Sequence, residues 1–150
     1  MSGTTFVFTR LASDPHADVI STALGASAAA PFTENDIGKG VKLGTAQNYV
    51  AVADGDEIEG VVVSLEPFTV NEGFKFGSVQ RNKRVEAVVG ASQAGNIAVG
   101  ALVVADIPTA LNTAGVLRVK TGTPATHKWR VLRIITGTGN TGSTVLIERV

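Results

Sequence analysis

From Asp36 onward, apolar and polar residues change places every second position in short runs, the pattern of strands that turn one face inward. The runs Asn48 to Ala53, Glu57 to Glu66, Phe74 to Gln80 and Lys83 to Val89 come first. Ala101 to Ala105, Gly115 to Lys120, Lys128 to Thr136 and Ser143 to Val150 follow. Asp54-Gly55-Asp56 and Asn71-Glu72-Gly73 separate strands with residues that accept a positive φ, so they read as hairpin turns. Turn signals every eight to twelve residues or so predict an all-β barrel or sandwich, with a jelly roll among the arrangements this admits. Only Ala91 to Ala98 has the composition for a helical turn, and no amphipathic crossover helix supports a βαβ plan. No internal repeat of fixed period shows in the sequence.

Residues 1–31 differ from the body at 32–150. Phe6-Val7-Phe8-Thr9-Arg10 alternates like a short strand, whereas Ala26-Ser27-Ala28-Ala29-Ala30-Pro31 carries neither charge nor bulk. Small side chains bury too little area to offset the entropy of ordering, so this part reads as an extended N-terminal arm. Alternation places Phe6, Phe8 and Arg10 on one side of it, where they can dock on a neighbouring sheet edge.

Composition narrows the function classes. The chain has 150 residues, of which 44% are hydrophobic and 5% aromatic, enough for one core and too apolar for wholesale disorder. Valine and threonine favour a pleated sheet over a helix. The absence of cysteine excludes a disulfide framework, a thiolate metal site and a cysteine nucleophile. Lys+Arg and Asp+Glu both number 13, so net charge provides no pull toward nucleic acid or an acidic membrane. No apolar run approaches a membrane span, and Met1 to Arg10 lacks the form of a secretory signal. Charge is nevertheless segregated. Asp54, Asp56, Glu57, Glu59, Glu66 and Glu72 have no base between them, while Arg118, Lys120, Lys128, Arg130 and Arg133 form a basic stretch without acids. Such segments either neutralise each other within one fold or meet across copies.

The chemistry on offer is thin, and no catalytic residue, metal ligand or cofactor is expected. His127 sits beside Lys128 in a turn and reads as structural rather than as a base. Asp14-Pro15-His16-Ala17-Asp18 lacks the further ligands and rigid frame of a metal site. Asp54-Gly55-Asp56 has its glycine at the wrong place for a calcium loop. Gly137-Thr138-Gly139-Asn140-Thr141-Gly142 has the letters of a dinucleotide fingerprint, but Ser143-Thr144-Val145-Leu146-Ile147 then reads as a strand where pyrophosphate binding needs a helix N-terminus. Gln80-Arg81-Asn82-Lys83-Arg84 is basic and near Phe74 and Phe76, yet a neutral chain lacks the basic groove of a single-strand binder, so it reads as a turn. Trp129 reads as an anchor in the core or at a subunit interface.

Four stretches carry a resemblance: Asn35-Asp36-Ile37-Gly38-Lys39-Gly40-Val41-Lys42-Leu43; Ala53 through Val62; and the closing Trp129-Arg130-Val131-Leu132 and Thr144-Val145-Leu146-Ile147-Glu148. Over about residues 32–150 this order resembles the head decoration, or cement, proteins of tailed bacteriophages. The resemblance implies a structural protein, made in the host cytoplasm, on the outer surface of the virion. It implies the major capsid protein as partner, homodimers or homotrimers, an arm reaching neighbouring subunits, and no catalytic residue; the charge balance and the lack of an apolar span add the expectation of no nucleic-acid and no membrane partner. On that reading Phe6, Phe8, Arg10 and Trp129 are the expected capsid or subunit contacts. A β-domain of a fibre or adhesion protein that binds carbohydrate is the rival, and it needs exposed aromatics that one Trp and one Tyr scarcely supply.

Overall fold

A computed structural model gives the fold and describes residues 19–27, 30–45, 48–69, 75–81, 84–107 and 116–150. These build eleven strands and one 3-10 turn, Glu34–Asp36, so the protein is all-β. The strands are β1 Val19–Ser27, β2 Ala30–Pro31, β3 Gly40–Leu43, β4 Asn48–Ala51, β5 Gly60–Thr69 and β6 Lys75–Gln80, followed by β7 Arg84–Val89, β8 Leu102–Ala105, β9 Arg118–Thr121, β10 Trp129–Thr136 and β11 Thr144–Arg149. The eight runs read from the sequence correspond to β4 through β11, and the strands make two small rings in succession.

The second ring is a closed barrel in the order β10-β11-β7-β9-β8. The first sheet runs β2-β1-β4-β3-β5-β6, and the additional pairing of β1 with β6 closes its five longer members on themselves as well. Closure leaves β2 as an appendage on β1 and, among the described residues, gives each of the ten longer strands a partner on both sides, which blunts edges that would otherwise invite pairing with other chains.

The two rings are wired alike. In each, the first and third strands pair parallel and all other neighbours antiparallel: β1 with β4 in one ring, β7 with β9 in the other. The registers correspond too. Ala23 opposes Asn48 and Leu24 opposes Tyr49, as Val88 opposes Arg118 and Val89 opposes Val119. Val41 opposes Ala51 and Leu43 opposes Tyr49, as Val103 opposes Thr121 and Ala105 opposes Val119. Gly40 opposes Val61 and Val41 opposes Gly60, as Leu102 opposes Arg130 and Val103 opposes Trp129. Val19 opposes Gln80 and Ile20 opposes Val79, as Arg84 opposes Glu148 and Val85 opposes Ile147. In the final hairpin both rings bulge at the same step. Between the pairs Val62–Val79 and Ser64–Ser78 the extra residue is Val63; between Val131–Ile147 and Arg133–Leu146 it is Leu132.

Corresponding positions fill the two interiors. Leu24, Val41, Tyr49, Val62 and Val79 are buried in the first ring, and Val89, Val103, Val119, Val131 and Ile147 occupy the matching places in the second. The bulge shifts the inward phase of its strand, because two residues there oppose one. Val62 and then Leu65 therefore pack inward on β5, and Val131 and then Ile134 on β10. Trp129 stands where the first ring has Gly60, whose backbone passes so close to Val79 that a Cβ would lie 2.3 Å from its Cγ1.

Residues 19–27 of the stretch read as an arm form β1, hydrogen-bonded between β4 and β6, and Leu24 is fully buried. Residues 1–18, with Phe6, Phe8, Arg10 and the Asp14 to Asp18 cluster, lie outside the described residues. Residues 91–98 make turns rather than a helical turn. Ile97 explains this: its side chain plugs the second ring and its N–H donates to Gly139 O at 2.8 Å, which ties the loop to the β10–β11 turn instead of to itself.

Candidate interaction surface

The acidic segment between β4 and β5 is the joint between the rings. Gly55 has φ +80°, and Asp56 N–H donates to Ala53 O, so the Asp-Gly-Asp sequence makes a tight turn. The turn docks by backbone on the end of β8: Gly55 N–H donates to Ala105 O, and Ala105 N–H to Asp56 O, both at 2.9 Å. Its carboxylates then meet the basic stretch. Lys120 Nζ lies 2.8 Å from both oxygens of Asp54, and Ile107 N–H adds a third bond to the same carboxylate. Together they hold Asp54 below the usual carboxylate range, the Lys120 hydrogen bond contributing most, and Asp54 in turn raises Lys120. Lys42 Nζ reaches Asp56 at 2.6 Å. Burial pushes the Asp56 carboxyl up, but Lys42 and the Ala53 N–H outweigh it and leave it lowered. Glu57 accepts the backbone N–H groups of His127, Ala125 and Thr126, which depress its carboxyl in that order of bond partners, with Ala125 ahead of Thr126. Asp54 with Lys120 follows the first reading of the segregated charge, neutralised inside one chain; Asp56 is neutralised by Lys42 from outside the basic stretch, and Glu57 meets backbone N–H groups of that stretch rather than its cations.

Ile58 and Glu59 continue the joint into the second core. Trp129 is 0% exposed and its Nε1–H donates to Ile58 O at 2.8 Å, so the indole is an internal anchor that also holds the preceding ring. The Arg149 guanidinium lies over the indole, 5.6 Å from the ring centroid, and donates to Glu59 O at 3.0 Å. Arg149 also contacts His127 Nδ1. A guanidinium only donates, so Nδ1 accepts and the His127 proton sits on Nε2, facing Glu59 Oε1 at 3.3 Å. His127 is thus a structural link between Glu59 and Arg149.

Asp106, which sequence reasoning did not single out, is fully buried beneath Gly90. Its Oδ2 accepts the Ser92 N–H at 2.9 Å, and Lys120 Nζ faces its Oδ1 at 3.7 Å, an ion-pair distance beyond hydrogen-bond reach. Nothing in the sequence marks this aspartate; only the fold shows that it shares Lys120 with Asp54. The glycine-rich stretch is the β10–β11 turn, with positive φ at Gly137, Gly139 and Gly142, and the strand β11 follows it. From the basic patch at residues 80–84, Arg84 pairs with Glu148 at 3.7 Å. Among the described residues, no three His, Cys, Asp or Glu side chains converge as metal ligands, and no helix is long and apolar enough to cross a membrane.

With the joint occupied by charge, the outer faces of the rings remain. Val63 on β5 is 41% exposed and Ile135 on β10 is 37% exposed. Leu43, Val99 and Val150 are also exposed, whereas Tyr49 and Trp129 are inside. A cleft of about 310 Å³ opens at the seam between Gly38 and Val61 of the first ring and Val85, Ala87 and Leu117 of the second. Comparison with known proteins gives no matching family model, no similar curated protein and no similar solved structure.

Proposed function

We propose that the chain is a capsid decoration protein that binds the outer surface of an assembled phage head and stabilises contacts between its major capsid subunits. The resemblance of residues 32–150 to cement proteins supplies the partner. The observation that supports a protein-binding role is where the side chains point: the charged joint is used internally, and exposed aliphatic residues such as Val63 and Ile135 lie on the outside of closed barrels. Closed barrels offer rigid faces rather than strand edges, so contact is made through side chains. Attachment at many lattice points lets modest individual contacts add up. The carbohydrate-binding reading loses ground because the single Trp and single Tyr are both buried, 0% and 5% exposed, and neither can serve as a sugar platform.

The test is co-sedimentation of the purified protein with undecorated heads of the phage that encodes it. Saturable binding at a fixed ratio to the major capsid protein, with greater resistance of the heads to heat, is expected. Heads that pellet without the protein would overturn the proposal, and retention on a glycan array would favour the rival.

A further inference from the structure

Asp54-Gly55 is the chain's single Asp-Gly pair, and no Asn-Gly pair occurs in the sequence. An aspartate followed by glycine is prone to rearrange, because glycine has no Cβ to shield its amide nitrogen from the preceding carboxyl group and restrains the backbone least. The rearrangement closes a succinimide ring: the Gly55 nitrogen bonds to Asp54 Cγ and a Cγ–O bond breaks. The carboxylate takes one proton from solvent and the amide nitrogen gives up another, so the oxygen leaves as water. One water then opens the ring, and a proton returns to solvent. Opening at the side-chain carbonyl restores aspartate. Opening at the main-chain carbonyl leaves isoaspartate, in which the main chain runs through Cβ and Cγ and the former main-chain carbonyl carbon bears the free carboxylate.

The joint restrains both reacting groups. Gly55 donates its N–H to Ala105 O on β8 at 2.9 Å, so the nitrogen that would attack is committed to the second ring. The Asp54 side chain is 52% exposed and open to water, yet Lys120 Nζ lies 2.8 Å from both of its oxygens and the Ile107 N–H reaches it at 3.1 Å. These partners, Lys120 foremost, keep the carboxyl ionised, and an ionised carboxylate does not release its oxygen as water. We propose that Asp54-Gly55 is a latent isoaspartate site, held unreactive while the two rings are docked and released when the joint opens. Conversion adds one carbon to the main chain inside the tight turn. The Asp56 N–H bond to Ala53 O and the two bonds that join Gly55 and Asp56 to Ala105 then no longer fit together, so a transient separation of the rings becomes a lasting one. The site is independent of the decoration reading and goes beyond it.

The experiment incubates the full-length protein at neutral pH and constant temperature, with and without enough urea to unfold it. Isoaspartate in the peptide spanning Asp54-Gly55 is followed by proteolysis and fragment mass spectrometry, and Asp54→Glu, whose longer side chain does not close the same ring, gives the background. Conversion is expected to run roughly 10–100-fold slower in the folded protein than in urea, since it waits on local opening of the joint. Lys120→Met, which frees the Asp54 carboxylate, is expected to convert several-fold faster than the unaltered protein without urea. A melting curve shows whether that variant is folded, and Lys42→Met, which releases Asp56 on the same turn, takes its place should it not be. A folded-state rate equal within error to the rate in urea, or a folded variant that converts no faster than the unaltered protein, would overturn the proposal.

Discussion

Replacing Trp129 tests the claim that one side chain holds both the second core and the joint. Trp129→Phe keeps an aromatic ring but removes the Nε1–H that Ile58 O accepts at 2.8 Å. The indole is fully buried, so that carbonyl loses its donor inside the protein, which costs about 1–3 kcal/mol. The smaller ring also weakens the stack under Arg149 and leaves a gap in a packed interior, bringing the expected total to about 2–4 kcal/mol. Trp129→Ala removes the whole anchor and should cost about 3–5 kcal/mol or more, a large share of the roughly 5–15 kcal/mol that keeps a domain folded. Because the substitution removes the only tryptophan, urea unfolding is followed by far-ultraviolet circular dichroism rather than by fluorescence. At about 1–3 kcal/mol per molar urea, Trp129→Phe should move the midpoint down by about 1–2 M. A midpoint unchanged within error would refute the role given to the indole.

Three further outcomes follow from the joint and the core. Lys120→Met should cost about 3–5 kcal/mol, because it leaves the fully buried Asp106 without its facing cation, whereas Asp54→Asn, at a site 52% exposed, should cost far less; equal losses in urea melts would contradict this. Gly90→Ala would put a Cβ 1.9 Å from the buried Asp106 Oδ2 and should destabilise by about 1–3 kcal/mol or prevent folding, while Gly95→Ala, with open space around it but φ +68°, should cost only about 1 kcal/mol; the comparison is read by thermal melts. Asp54, Asp56 and Glu57 all have lowered native pKa values, so their stabilisation is complete above their unfolded values near pH 4 and is lost as the pH falls through the lower native ones. Melting temperature should therefore fall steeply below about pH 4, and less steeply in Asp56→Asn with Glu57→Gln; an unchanged acid slope in that double variant would remove the joint from the cause.

The all-β class and the barrel were legible because inward valines and isoleucines alternate with polar residues on β7, β10 and β11, and glycine-bearing turns separate them. β1 was not legible: Val-Ile-Ser-Thr-Ala-Leu-Gly-Ala-Ser carries little bulk, and its order comes from lying between β4 and β6, a tertiary cause that local pattern does not contain. The duplication was hidden for two reasons. The β3–β4 connection spans only 44–47 while the β8–β9 connection spans 106–117, which destroys any fixed period. Corresponding positions also hold different residues, Gly60 against Trp129 and Tyr49 against Val119, because each ring fills its interior with its own combination of volumes. The acidic and basic stretches were visible as charge, but which acid meets which base depended on the turn at Gly55 docking on Ala105. Asp106 shows the same limit, since its importance comes from burial alone.

A cryo-electron microscopy reconstruction of undecorated heads incubated with the protein bears on the whole account at once. Added density on the outside of the shell is expected, placed where neighbouring major capsid subunits meet. A bare shell under saturating protein would contradict the decoration reading.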